Sequence, residues 1–303
     1  MNAMETGGAH AHAHGIEAIA DLAALRARVA GWKREGLRVG FVPTMGNLHE
    51  GHHSLVRLAR ARADRVVASI FVNPTQFGPN EDFARYPRTP DADLAGLQAA
   101  GCDAAWMPSV DTMYPFGMQG VVQVRVPGVT EVLEGAHRPG HFDGVATVVA
   151  RLFHQVQPDV AVFGRKDYQQ LAVIRYMVRE LAFPLEIVAG ETRREADGLA
   201  MSSRNQYLSE AERALAPELH RALLALRDAV RAGSPRAGAE ARAAASLAAL
   251  GFDVDYIVVR RPDLSEPVEG DAAGDADAGA RVALVAARFG RTRLIDNLEF
   301  SLA

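Results

Sequence analysis

The sequence lacks the features that would place it in a membrane or an oxidising compartment. Its 303 residues include a single cysteine, Cys102, so no disulfide can form within the chain. No apolar stretch approaches the roughly 20 residues that a membrane-spanning helix needs. The N-terminal residues also lack the basic-then-apolar order of a signal peptide. We therefore expect a cytoplasmic protein with no membrane partner.

The chain also lacks a strong excess of charge and the common glycine-rich nucleotide motifs. A net charge of -4 gives no indication of nucleic-acid binding. Neither G-x-x-x-x-G-K-[ST] nor G-x-G-x-x-G occurs in the sequence. Apolar residues make up 49% and charged residues 23%, which is typical of a globular protein with one large domain or two smaller ones.

Two segments are predicted to lie outside the folded core. The N-terminal "AHAHAH" tract could chelate a metal, but a disordered leader is the favoured interpretation. The acidic, turn-rich segment 265–280 predicts a mobile surface loop rather than a cation site.

The pattern of apolar residues predicts two domains. Apolar positions at helical spacing over 16–35 predict a helix, and apolar strands then alternate with helices of ten or more residues up to about residue 192. Strands separated in this way form a doubly wound, parallel, Rossmann-like α/β sheet. Beyond it, helical stretches at 210–233 and 235–251 precede strands at 254–260, 281–290 and 292–300. We expect domains at 1–192 and 193–303, the second being smaller and α+β.

The stretch "PTMGNLHEGH" follows the first buried strand and begins a helix. His49 and His52 are three residues apart with no cysteine nearby, which disfavours a zinc site. Gly46 and Gly51 would instead bring free backbone N–H groups to the positive end of the helix, where phosphate binds. The two imidazoles could donate hydrogen bonds there and carry a proton. A solvated helix start with incidental histidines is the structural alternative.

Two later stretches have polar residues in comparable positions. "FGRKDYQQ" follows a strand and begins a helix, so Lys166 could contact phosphate and Asp167 a ribose, although a cap and salt bridge would have the same residues. "MSSRNQYLS" supplies hydroxyl and guanidinium donors without an acid, which suits developing phosphoryl charge. Ser209, followed by Glu210 and Glu212, is assigned to a helix cap instead.

Together these stretches resemble the paired HIGH and KMSKS signatures of nucleotidyl-transferring α/β enzymes. "SIFVNPTQFGPNEDFARYPR", "LEGAHRPGHFDGVATVV" and "READGLAMSSRNQYL" extend the similarity to the pantoate–β-alanine ligase family over residues 39–209. The resemblance implies a homodimer that uses ATP with Mg²⁺, forms pantoyl adenylate and pyrophosphate from pantoate, and then transfers the pantoyl group to β-alanine.

The resemblance also implies a role for individual residues. His52, His49 and Lys166 would be catalytic, with His52 the proton donor, and Gln76 and Gln170 would bind pantoate. No protein side chain is assigned to the metal, Arg138 would lie at the polar rim of the site, and His137 has no role. The ATP-binding set would comprise Met45, Gly46, Asn47, Leu48, His49, Glu50, Gly51, His52, Gly164, Arg165, Lys166, Asp167, Arg193, Met201, Ser202, Ser203 and Arg204.

Two other functions remain open at this point. An adenylyltransferase acting on a phosphate, such as phosphopantetheine adenylyltransferase, shares the H-x-G-H turn but gives no reason for Gln76 and Gln170. A non-catalytic nucleotide-binding module would bind ATP without releasing pyrophosphate. In either case Cys102, early in a predicted buried strand, is expected to belong to the core.

Overall fold

The computed structural model describes residues 15–78, 81, 83–267 and 279–302. The histidine tract and residues 268–278 of the acidic segment lie outside this description, so the expectations for them remain predictions. The chain divides into two compact units, Met1–Arg125 with Gly140–Phe163 and Met177–Gly190, and Val126–Pro139 with Gly164–Tyr176 and Glu191–Ala303. The sequence did not predict that Val126–Pro139 and Gly164–Tyr176 belong to the second unit.

The first unit contains a six-stranded sheet in the order β1-β4-β3-β2-β5-β6. β1 pairs with β4, β4 with β3, and β2 with both β3 and β5, always in parallel. The predicted doubly wound fold is therefore confirmed. Its strands are β1 (Glu17–Ile19), β2 (Val39–Thr44), β3 (Arg65–Ile70), β4 (Ala104–Trp106), β5 (Val160–Gly164) and β6 (Glu186–Gly190).

Helices connect these strands, as parallel pairing requires. α2 and α3 cover apolar residues of β2, β3 and β4, and Cys102 belongs to this buried cluster, as predicted. The helices of this part of the chain are α1 (Leu22–Arg34), α2 (Glu50–Arg60), α3 (Pro90–Ala99), the one-turn α4 (Val110–Met113), α6 (His141–Val156) and α7 (Tyr168–Glu180), which begins in the second unit.

One predicted boundary is wrong in this region. The segment 16–35 was expected to be helical throughout, whereas it opens with β1, and α1 begins only at Leu22. The side chain of Asp21 accepts a hydrogen bond from the Ala24 backbone N–H at 2.8 Å and so caps the helix there. The three residues of β1 are too few to show an alternating pattern.

The strand order places a topological switch point between β2 and β5. From β2 the chain adds β3 and β4 on one side, whereas β5 and β6 lie on the other side. Open α/β sheets bind their ligands outside the carboxyl ends of the strands at such a point. "MGNLHEGH" directly follows β2 and therefore begins at this position.

The second unit contains an antiparallel three-stranded sheet in the order β7-β8-β9, as predicted for an α+β domain. Its strands are β7 (Asp253–Arg260), β8 (Ala280–Phe289) and β9 (Thr292–Ser301), and its helices are α5 (Glu134–His137), α8 (Glu210–Leu215), α9 (Glu218–Arg231) and α10 (Arg236–Ala249). Leu219, Leu223 and Leu247 are buried against this sheet.

The helix predicted over 210–233 is wrong in one respect, because it is interrupted at Pro217, between α8 and α9. Proline cannot donate the backbone hydrogen bond that would continue the helix. Within the described part of the chain, every helix is too short or too polar to cross a membrane.

Candidate active site

The turn after β2 arranges two imidazoles at the first turn of α2. His49 is the N-cap residue, and its Nδ1 accepts a hydrogen bond from the Gly51 backbone N–H at 3.1 Å. The His49 backbone N–H donates to Nδ1 of His52 at 3.3 Å, and the ring centroids are 4.2 Å apart. Since each Nδ1 is an acceptor, the neutral form of each ring carries its proton on Nε2.

The backbone of this turn is held by a buried carboxylate. Asp93 on α3, 2% exposed, accepts hydrogen bonds from the backbone N–H groups of Asn47 at 3.0 Å and Leu48 at 2.8 Å. Thr89 Oγ1 donates to the same carboxylate at 3.1 Å. Gly46 has φ +84°, where a side chain would be strained, and a Cβ atom there would lie 3.0 Å from Asp93 Oδ2.

These contacts correct one part of the sequence prediction. The backbone N–H groups of Asn47, Leu48 and Gly51 are not free for phosphate, because Asp93 and His49 already accept their hydrogen bonds. The imidazole Nε2–H groups and the positive end of the α2 dipole are further means by which this turn can contact an anion. Asp93 was missed because it lies 46 residues from Asn47, and no local pattern links the two.

Gln76 lies close to the same turn. Its Nε2 donates to Sδ of Met45 at 3.0 Å, and its side-chain oxygen accepts a hydrogen bond from Nδ2 of Asn73 at 3.2 Å. Asn73, 1% exposed, also donates to the carbonyl oxygen of Gly144 at 3.2 Å. Three donors, among them the Tyr114 hydroxyl at 2.6 Å, converge on Oδ1 of Asn73.

This network determines the orientation of the Gln76 amide. Because the donors of Thr75 and Tyr114 fix the Asn73 oxygen, the Asn73 amino group must face the Gln76 oxygen. Gln76 therefore presents its amino group next to Met45, whose thioether is a weak acceptor. Asn73 was also missed from the sequence, where "NPT" is typical of an ordinary turn.

The candidate residues 164–167 lie in the second unit. Three of them, Arg165–Asp167, form a short 3-10 turn. Asn297 on β9 donates from Nδ2 to the carbonyl oxygens of Arg165 at 2.9 Å and Lys166 at 2.8 Å. The Arg165 guanidinium pairs with Glu299 at 2.8 Å and with Glu191 at 3.0 Å. Lys166 Nζ lies 3.7 Å from the Asp167 carboxylate.

Arg193 and Met201 lie on either side of a closed loop. The Met201 backbone N–H donates to the carbonyl oxygen of Arg193 at 2.9 Å, and Arg194 pairs with Ala200 in an isolated antiparallel bridge. Gly198 turns the chain at φ +95°. The structure therefore brings Arg193 and Met201 together through their main chains.

The loop that follows Met201 forms a second 3-10 turn, Ser203–Tyr207. Ser202 Oγ accepts a hydrogen bond from the Arg204 backbone N–H at 3.2 Å and caps this turn. Ser209 caps α8 with Glu212 in a reciprocal capping box, which confirms its structural assignment.

The other candidates differ in their surroundings. Gln170 is partly buried on α7, whereas its neighbour Gln169 is 3% exposed and donates to the carbonyl oxygens of Val129 and Val132 at 2.7 Å each. Arg138 follows α5, and its backbone N–H donates to Glu134 at 2.8 Å. Burial raises the pKa of Cys102 to about 12, so this thiol is not a nucleophile at neutral pH.

Comparisons with known proteins extend over nearly the whole chain. A family model described as pantoate-beta-alanine ligase matches residues 17–299. A pantothenate synthetase of Xanthomonas axonopodis pv. citri (strain 306) is 68% identical over 285 residues, covering 94% of this chain and 100% of that protein.

Solved structures give the same result. Pantothenate synthetase from Thermus thermophilus is 49% identical with a TM-score of 0.81, covering 93% of this chain and 98% of that chain. Pantoate-beta-alanine ligase from Francisella tularensis, complexed with Beta-gamma ATP and Beta-alanine, is 30% identical with a TM-score of 0.76, covering 93% and 97%.

The fold, the histidine turn and these relatives define an ATP-dependent, AMP-forming ligase built on a Rossmann-like sheet. The chain belongs to the pantoate–β-alanine ligase family. The resemblance inferred from the sequence is thereby confirmed, and the match favours the ligase over the adenylyltransferase and over the non-catalytic module.

Proposed function

We propose that the chain condenses pantoate with β-alanine through pantoyl adenylate, and that His49 and His52 contact the ATP phosphates during the first step. The observation that carries this assignment is the fixed orientation of the two rings, whose Nδ1 atoms both accept backbone hydrogen bonds. Each neutral ring then has its N–H donor on Nε2, at the positive end of α2.

In the first step, a carboxylate oxygen of pantoate attacks the α-phosphorus of ATP, and the bond to pyrophosphate breaks. Attack of one anion on another is the obstacle, so donors fixed around the phosphates lower the barrier. His49 contacts the nucleotide, and His52 supplies a proton or a hydrogen bond as charge builds. Lys166 adds a positive charge to the phosphates.

In the second step, the free amine of β-alanine attacks the acyl carbon of pantoyl adenylate. The amide C–N bond forms, the bond to AMP breaks, and the amine loses a proton. No protein nucleophile is needed, which agrees with the buried and unreactive Cys102.

The remaining ATP contacts are assigned to the segments that resemble the family. Met45, Gly46, Asn47, Leu48, Glu50 and Gly51 would complete the histidine turn, and Gly164, Arg165, Asp167, Arg193, Met201, Ser202, Ser203 and Arg204 would contact ribose, adenine and phosphates. In this proposal residues 1–192 bind ATP and pantoate, and residues 193–303 act as a lid that protects the adenylate from water. Equal hydrogen-exchange rates at Met201–Arg204 with and without ATP would contradict the lid.

Gln76 and Gln170 are assigned to pantoate. The buried hydrogen bond from Asn73 supports this role for Gln76, because it leaves the amide nitrogen to donate to a hydroxyl or carboxylate oxygen. Gln76→Ala should raise KM for pantoate about tenfold, the scale of one hydrogen bond to a charged group, with little change in KM for ATP. Steady-state kinetics with each substrate varied would test this, and equal changes for both would contradict it.

Mg²⁺ is proposed to arrive with the ATP phosphates. Across residues 15–78, 81, 83–267 and 279–302, no three His, Cys, Asp or Glu side chains form a group that could hold a metal ion. The proposal rests on the general behaviour of Mg²⁺, which commonly keeps several waters and binds mainly through substrate phosphates.

We also propose a cytoplasmic homodimer. Phe116, 92% exposed, and Val122, 79% exposed, are large apolar side chains on the surface of the first unit and support a contact with a second copy. Sedimentation of a Phe116→Ser/Val122→Ser variant should show a shift toward monomer, and an unchanged mass would place the contact elsewhere.

The direct test of the function is AMP formation from ATP, pantoate and β-alanine, with each omitted in turn. Exchange of labelled pyrophosphate into ATP should require pantoate but not β-alanine. Exchange that does not depend on pantoate would contradict the proposed first step.

A further inference from the structure

Two adjacent residues of β9, Asp296 and Asn297, hold both segments of the second unit that are assigned to ATP. The side chain of Asp296 is 3% exposed, and Asn297 as a whole is 6% exposed. Successive residues of a strand point to opposite faces, so one strand can hold one segment on each side. We infer that this Asp-Asn pair is the positioning element for Lys166 and for the Met201–Arg204 loop.

Asn297 positions the segment that contains Lys166. Its Nδ2 donates to the carbonyl oxygens of Arg165 at 2.9 Å and Lys166 at 2.8 Å, so both amide hydrogens are engaged. Glu299, two residues further along the same face, pairs with the Arg165 guanidinium at 2.8 Å. The 3-10 turn therefore rests on three contacts from one face of β9.

Asp296 positions the loop that leads to Met201. Its two carboxylate oxygens accept from the Arg194 guanidinium at 2.6 and 2.9 Å, a bidentate pair. Arg194 also donates to the Gly198 carbonyl oxygen at 3.1 Å and so closes the 194–200 loop on itself. The His220 ring lies 3.5 Å from the same carboxylate.

The two halves of the pair are themselves linked. The Asn297 backbone N–H donates to Asp296 Oδ1 at 2.7 Å, and Arg194 donates to the Asn297 carbonyl oxygen at 3.3 Å. A shift of either residue therefore affects the hydrogen bonds of the other.

This inference rests on the proposed function, because it assumes that Lys166 contacts ATP. The test uses Asn297→Ala, which removes both donors to the 3-10 turn. We expect KM for ATP to rise about tenfold, the scale of one or two lost hydrogen bonds, with KM for pantoate within about twofold of the wild-type value. Asn297→Ser, which retains one donor, should lie between the wild type and Asn297→Ala.

Gln169→Ala is the matched control in the same unit. Gln169 is a buried amide that also donates to two backbone carbonyls, but those of Val129 and Val132. The Gln169→Ala variant should lower Tm about as much as Asn297→Ala does, without raising KM for ATP selectively. If Gln169→Ala raised KM for ATP as much as Asn297→Ala, the effect would be general loosening and the inference would be wrong.

Calorimetric binding of a non-hydrolysable ATP analogue to Lys166→Ala separates the inference from its premise. Weak binding by Lys166→Ala with normal binding by Asn297→Ala would overturn the positioning role while leaving the proposed function intact. Normal binding by Lys166→Ala would overturn the assignment of Lys166 and the inference with it. Weak binding by both, with intermediate binding by Asn297→Ser, is the expected result.

Discussion

The two units hold the segments that we propose to bind ATP by opposite means. In the first unit, the Asp93 carboxylate accepts hydrogen bonds from backbone N–H groups of Asn47 and Leu48. In the second, the Asn297 amide donates hydrogen bonds to the carbonyl oxygens of Arg165 and Lys166. The first arrangement uses up backbone donors, whereas the second uses up backbone acceptors.

This difference bears on how each segment can contact an anion. Because the N–H groups of Asn47, Leu48 and Gly51 are engaged, we expect the histidine turn to act mainly through its imidazole side chains and the helix dipole. In the Lys166 turn, two backbone carbonyl oxygens accept hydrogen bonds from Asn297, and the group that can attract an anion is the charged Lys166 side chain. We therefore expect proton-linked chemistry in the first unit and electrostatic binding in the second.

The largest expected effect is that of His52→Ala. The loss of an acid–base or charge-stabilising group should reduce the first half-reaction by about 10²- to 10⁴-fold. Pyrophosphate release in a single turnover with pantoate measures this step. His53→Gln is a suitable control, since His53 faces Gly96 on α3, and it should retain near-normal release. Near-normal pyrophosphate release by His52→Ala would contradict the expected proton-linked chemistry in the first unit.

Asp93→Ala tests whether the carboxylate fixes the turn. The substitution leaves two backbone N–H groups and the Thr89 hydroxyl without their acceptor in a buried position. The free energy of unfolding should fall by about 3 kcal/mol, as unsatisfied buried donors are costly. Chemical denaturation measures the loss, and a loss near zero would show that water replaces the carboxylate readily.

The sequence predicts those parts of the molecule that depend on local pattern. The three antiparallel strands were predicted within a few residues of their observed bounds, because apolar residues recur along each of them. The histidine turn was recognised from glycine, histidine and helix-start signals close together in the chain. Asp93 and Asn297 were missed because their partners lie 46 and 131 residues away. Only the folded chain brings such pairs together.

Low pH should reduce the stability that Asp296 gives to the second unit through its pair with Arg194. Burial disfavours its charge, but contacts from His220 and Arg194 outweigh burial and keep the pKa of Asp296 below its usual value. A lowered pKa in the folded state contributes stability above the unfolded pKa of about 3.9, and this is lost as pH falls through the folded pKa. The stability difference between wild type and Asp296→Asn should therefore be largest above about pH 5 and narrow below about pH 4. A difference that does not vary with pH in denaturation experiments would contradict this linkage.

The smallest expected effect separates two serine caps in the second unit. Ser209 caps α8 and has no assigned contact with ATP, so Ser209→Ala should cost about 1 kcal/mol of stability and leave KM for ATP unchanged. Ser202 caps the 3-10 turn with similar geometry but belongs to the proposed ATP segment. Ser202→Ala should cost similar stability and also raise KM for ATP about threefold, the scale of one neutral hydrogen bond. Thermal unfolding and steady-state kinetics on both variants measure the contrast. If the two variants have the same KM for ATP, Ser202 only caps the 3-10 turn. Any contact of this loop with ATP is then made by Met201, Ser203 or Arg204.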